Sequence, residues 1–182
     1  SRLAATKPRW CAFLSIGVVD AEAMKQGEDP EKITRSFGAY ERMLEEIFRL
    51  TGAWKEAWTP DGVMVCYLDA YLAVDAAQRA LKGLEDFNRD HNEIAQPFRV
   101  CCGLNEGNVV IFEDSKLQKV ADRVIDVAGH MQKKARANSL WLSSEVYDRL
   151  EMKSGFYPAM AQVDGYTVLE WRADSPPEQQ VA

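Results

Sequence analysis

Residues 99–110, RVCCGLNEGNVV, decide how the rest of this chain is read. Val100, Cys101, Cys102 and Leu104 form an apolar run of strand length, led by Arg99. Asn105-Glu106-Gly107 then has turn composition, and Asn108 to Phe112 turns apolar again. Local patterning therefore predicts two paired strands, 97–104 and 108–112, joined at residues 105–107.

Upstream, residues 10–19, WCAFLSIGVV, read as a buried strand, and 20–28 as a polar loop of small residues. Asp29-Pro30 is a strong helix start, an N-cap acceptor followed by a residue whose missing N–H costs nothing there. Ile33, Phe37, Tyr40, Leu44 and Ile47 place one apolar face on that helix, and Gly52 is placed to end it. Thr59-Pro60-Asp61-Gly62 is a turn between strands 53–58 and 63–68. A second long helix is expected over 70–88, with Leu72, Ala76, Ala80, Leu84 and Phe87 along one side. Downstream, 114–119 is a polar loop, 120–137 helical and 140–142 a short strand. Ser143 or Ser144 caps a short helix running to Leu150. Strands 157–163 and 166–171 close the order as a hairpin around Asp164-Gly165. Strands joined mostly by hairpins, with two long helices among them, predict one α+β sandwich, a mixed but mostly antiparallel sheet with helices packed on it.

Length and composition agree. The chain has 182 residues, 47% hydrophobic and 27% charged, which suits one domain with a sizeable core. Its net charge of −6, with no long basic run, argues against nucleic-acid binding. No apolar run approaches the roughly 18 residues of a membrane span. The chain opens at Ser1 rather than Met, which reads as one module of a longer protein. Cys11, Cys66, Cys101 and Cys102 all lie in apolar strands. With no C-x-x-C pair and only His91 and His130, a zinc site is not expected, and free buried thiols point to a cytoplasmic protein. Residues 1–9 are read as a lead-in, 10–173 as the domain and the Pro- and Gln-rich 174–182 as a disordered tail.

Over about Trp10 to Trp171, this order and its punctuation resemble the class III adenylyl/guanylyl cyclase catalytic domain, a ferredoxin-like, palm-type fold. Gly17, Pro30-Glu31, Gly52 and Pro60-Asp61-Gly62 fall at the family's spacings without gaps. RVCCGLNEGNVV looks like its arginine-led Gly-x-x-x-Gly strand. VIDVAGHMQKKARANSLWLSSEVYDRL, residues 124–150, resembles its Val-Asn helix and the strand and helix after it, and VDGYTVLEW its closing hairpin. The resemblance implies cyclisation of a nucleoside triphosphate by two carboxylates holding two divalent cations. A Lys and an Asp or Thr would read the purine, an Asn would orient the ribose, and an Arg would stabilise the transition state. It also implies sites formed across a dimer.

Carried across residue by residue, most of that chemistry is missing. The first metal position holds Gly17; the second keeps Asp61. The purine-reading positions fall at Ala57 and near Lys119, the ribose position at Asp126 and the arginine position at His130. No residue is therefore assigned a catalytic role, and the resemblance is to a degenerate, pseudoenzyme form of the family. Asp61 stands as a weak metal ligand, beside the plainer reading of a turn aspartate. Asp20 lies three residues past the empty carboxylate position and reads as a solvated loop residue. Lys119, Arg123 and His130, with Asp61, are the candidates for ligand or anion binding; Lys133 and Lys134 extend the basic set, balanced by Asp122 and Asp126. Trp54 and Trp58 flank the purine position and read first as core aromatics.

The leading expectation is a regulatory, dimerisation or ligand-sensing signalling domain, paired with itself or with another cyclase-like domain. It requires no cofactor. The alternative is residual adenylate or guanylate cyclase activity, with Mg or Mn in an altered site or a partner chain's residues completing it. A nucleotide or other small molecule is the ligand expected for the sensing role. Diguanylate cyclases rank lower, because their Gly-Gly-Asp/Glu-Glu-Phe signature is missing from the hairpin.

Overall fold

The computed structural model describes residues 7–174. The tail reading for 174–182 therefore falls, save Asp174, outside the described residues. Seven strands, β1 (Arg9–Val18), β2 (Lys55–Trp58), β3 (Gly62–Tyr67), β4 (Val100–Val109), β5 (Ser139–Ser143), β6 (Phe156–Val163) and β7 (Tyr166–Arg172), form one sheet. Their order is β2-β3-β1-β4-β5-β7-β6, and only β4 and β5 run parallel. The helices are α1 (Ala21–Lys25), α2 (Pro30–Thr51), α3 (Ala70–Asp90), α4 (Arg123–Lys134) and α5 (Ser144–Arg149), with a 3₁₀ turn at Leu117–Lys119. The α+β sandwich with a mostly antiparallel sheet stands as expected.

One expectation is overturned. Residues 97–112 are not a hairpin: β4 is continuous, and every residue from Val100 to Val109 pairs with β1, from Val18↔Val100 to Arg9↔Val109. The three turn-like residues are held extended by tertiary partners. Asn105 Nδ2 donates to the Val124 carbonyl at 3.2 Å. On the other face, Glu106 accepts from Trp10 Nε1 at 3.0 Å and Arg149 Nε at 2.7 Å. Gly107 serves proximity rather than a turn: a Cβ there would lie 2.8 Å from Val124 Cγ2. The loop expected over 20–28 also contains a short helix, α1. The fourth helix is shorter than expected, starting at Arg123 where Asp122 accepts from Val124 N.

The two long helices begin as their sequences dictate. Asp29 accepts from Glu31 N with Pro30 at the first turn, and Asp69 accepts from Tyr71 N. Gly52 ends α2 at φ 74°, a left-handed cap that Gly adopts without strain. Helices α2 and α3 pack against each other, and α3 covers β1, β3 and β4. The even-numbered β1 residues Ala12, Leu14 and Ile16 point into this layer, together with Tyr40, Leu44, Phe48, Phe87 and Phe98. Each fully buried large apolar side chain contributes roughly 1.5–3 kcal/mol. The odd-numbered Cys11 and Phe13 point to the opposite face, which α4 covers. That helix rests on glycine: a Cβ at Gly103 would meet the Gln132 backbone nitrogen at 2.2 Å and the Ala128 carbonyl at 2.4 Å. All four cysteines are buried and free.

Candidate functional site

The positions singled out by the resemblance lie on or beside the face covered by α4. At one end of the sheet, β1 ends against the β2–β3 turn. Gly17 pairs with Gly62, and Val18 N donates to the Asp61 carbonyl at 2.9 Å. The turn closes on itself through Thr59 N to the Gly62 carbonyl, 2.8 Å. Thr59 Oγ1 donates to Asp61 Oδ1 at 3.3 Å, and the Asp61 side chain is exposed. The backbone of Asp61 is thus fixed beside the end of β1.

The space beside Gly17 is taken by a side chain from α4. Gln132, from α4, lies over Gly17, and its amide oxygen is 3.2 Å from Ser15 Oγ. A Cβ built on Gly17 would sit 2.4 Å from Gln132 Nε2. The residues present do not fit two divalent cations: Asp61 contributes one carboxylate, and a neutral amide fills the facing space. Among the described residues, no group of three His, Cys, Asp or Glu is placed to hold a metal ion. The Asp20 carboxylate is exposed and pairs with Arg99 at 3.3 Å.

The two positions that the resemblance assigns to purine reading lie outside this turn. Ala57 packs in an apolar cluster with Trp54, Met64, Val120 and Val124. Lys119 ends the 3₁₀ turn and lines a shallow hollow of about 360 Å³ with Asp114, Ser115, Lys116 and Val120. Lys55 Nζ donates to the carbonyls of Glu113 (2.8 Å) and Ser115 (2.6 Å), holding this loop down on β2. Trp54 lies between Arg9 and Lys55, whose cationic groups stand 5.1 and 4.6 Å from its ring. Trp58 faces the other way, into the α2–α3 core beside Phe48. The two tryptophans therefore do not form one pocket.

On α4, Asp126 and Lys133 are exposed. His130 Nδ1 lies 2.6 Å from Asp164 Oδ2 in the β6–β7 turn. That contact holds the Asp164 carboxyl below the usual range, helped by Arg123 and Lys134. Three of the basic residues noted in the sequence thus gather around one carboxylate, while Lys119 lines a different hollow. Three functional-looking side chains escaped the sequence reading. Gln132 and Asp164 matter through partners more than 30 residues away, and a turn dipeptide was the only signal at Asp164. Glu170 is 2% exposed and accepts from Trp141 Nε1 at 2.8 Å and Arg136 at 3.2 Å. It sits in the apolar alternation of β7, where nothing local marks a buried carboxylate.

No protein-family model matches the chain, and no curated protein sequence does. Solved structures do. The adenylyl cyclase CyaB from P. aeruginosa aligns with a TM-score of 0.76 at 17% identity, over 94% of this chain and 96% of that one. The adenylate/guanylate cyclase/hydrolase from Silicibacter pomeroyi gives 0.73 at 17% identity, over 92% and 99%. The guanylate cyclase domain of RhGC from Catenaria anguillulae, solved in complex with GTP, gives 0.74 at 13% identity, over 90% and 95%. The chain has the fold of the class III adenylyl and guanylyl cyclase catalytic domains.

Proposed function

We propose that this chain, built on the nucleotidyl cyclase fold, is a catalytically degenerate domain that regulates, dimerises or senses a ligand rather than cyclising nucleotides. The observation that carries this reading is the pair Gly17 and Gln132. Two-metal cyclisation needs two carboxylates close enough to share both cations. Here Asp61 faces a glycine, and the vacant volume is taken by the Gln132 amide. Three further positions support it. Ala57 offers the purine no hydrogen bond, Asp126 is anionic where the ribose-orienting amide is expected, and His130 is engaged by Asp164. Pairing with itself or with another cyclase-like domain belongs to this proposal. Among the described residues, no helix is long and apolar enough to cross a membrane.

Retention of Asp61, exposed and fixed beside β1, favours one second reading: residual cyclase activity completed by a partner chain or a single metal. One experiment separates the two. Cyclic AMP and cyclic GMP formation is measured from ATP and GTP with excess manganese, at high protein concentration, beside Asp61→Ala. Absence of both products supports degeneracy. Product that disappears in Asp61→Ala overturns it.

A further inference from the structure

A cleft of about 470 Å³ lies on the α2–α3 face of the sheet, opposite α4, between α3 and the end of β7. Its volume is in the range of small-molecule sites. The floor is apolar and buried: Val74, Leu150 and Trp171. Two large apolar side chains stand exposed on its walls, Tyr71 at 50% and Met152 at 64%. A second hollow continues from it, sharing Tyr71, Leu150, Glu151 and Met152. Exposed apolar surface concentrated around a concavity is unusual unless something covers it.

The charges on the rim select the occupant. Asp75 is paired with Arg79 at 3.1 Å, and Arg172 with Asp174 at 3.2 Å. Lys82 and Glu151 have no ion-pair partner among the described residues. Glu151 belongs to the exposed connection after α5. Lys82 is exposed, and its ammonium stands 5.5 Å from the centroid of the Trp171 ring. The indole is itself fixed by close backbone approach, since a Cβ at Gly155 (φ +84°) would lie 2.7 Å from Trp171 Nε1. A cation positioned over a buried ring, at the edge of an apolar floor, is a preorganised anchor for one negative charge.

We propose that this cleft binds a small hydrophobic carboxylate, its apolar body on Val74, Leu150 and Trp171 and its carboxylate on Lys82. The site does not depend on whether cyclase chemistry survives on the other face, so a nucleotide-turnover assay and a binding assay here fail or succeed separately.

The test uses 2-naphthoate as probe, with the neutral 2-naphthamide and the cationic 2-naphthylmethylammonium as controls, each titrated calorimetrically. Saturable one-to-one binding of naphthoate is expected, with both controls weaker by about tenfold. Lys82→Gln should bring naphthoate down to the level of the amide. Gln78→Trp, at a partly exposed lining position of α3, should block binding while leaving the unfolding midpoint unchanged. The proposal is overturned by equal binding of acid and amide or by preference for the ammonium. Binding untouched by Lys82→Gln, or no saturation up to about 5 mM of probe, also overturns it.

Discussion

Gln132 occupies the space that a side chain at Gly17 would need, with its Nε2 only 2.4 Å from where the Cβ would be. The two residues are 115 positions apart, and they meet because α4 lies across β1 and β4. The glycine and the amide are one feature: the small residue admits the glutamine, and the glutamine, close to Ser15, closes the site. Placing a carboxylate at position 17 therefore requires the Gln132 side chain to move.

Gly17→Asp alone should destabilise the protein by about 1–3 kcal/mol, the usual range for overpacking a filled interior. Adding Gln132→Ala should recover most of that loss, because the clash is with the far end of one side chain. Urea unfolding of the two single variants and the double variant measures the coupling. With a carboxylate introduced at position 17 beside Asp61, the double variant should also gain thermal stability from manganese, and the parent should not.

Gly103→Ala should be the more damaging glycine substitution. Its neighbours are backbone atoms of α4, at 2.2 and 2.4 Å, which cannot move without displacing the helix. A loss of about 3 kcal/mol or more is expected, against about 1–2 kcal/mol for Gly107→Ala, where the obstacle is one Val124 methyl. Equal unfolding midpoints for the two variants would contradict this account of helix packing.

Tyr40→Phe should be neutral or stabilising by up to about 1 kcal/mol. The Tyr40 hydroxyl is buried, and among the described residues no partner accepts from or donates to it. Burial pushes its pKa well above the ordinary tyrosine range. The ring itself packs against Phe87 and Phe98 and is kept by the substitution. A clear drop in the denaturation midpoint would mean that the hydroxyl has a partner in solution.

The contact between His130 and Asp164 should shape the acid limb of stability. The folded-state pKa of Asp164 is lowered, first by His130 and then by Arg123 and Lys134. A depressed carboxylate contributes stability above its unfolded value of about 3.9, and that contribution is lost as pH falls through the folded value. Thermal unfolding followed from about pH 5 downward should therefore fall less steeply in Asp164→Asn than in the parent. Asn also suits the left-handed backbone at this turn (φ 52°), so the variant tests charge rather than strain.

Much of the architecture was legible locally. The caps at Asp29 and Gly52, the Thr59–Gly62 turn and the Asp164-Gly165 hairpin are decided by residues within a few positions of each other, and the structure places them as read. That position 17 is a glycine and position 57 an alanine is likewise a property of the sequence alone, and their places at a metal and a purine position belong to the proposed function. The continuous β4 strand was not legible. Asn105, Glu106 and Gly107 have turn composition, and only Val124, Trp10 and Arg149, distant in the chain, hold them extended. The same holds for the filling of the space above Gly17 and for the lysine poised over Trp171. Local preferences act over one turn of backbone, whereas a closed site or an open cleft is set by which side chains the packed layers bring together.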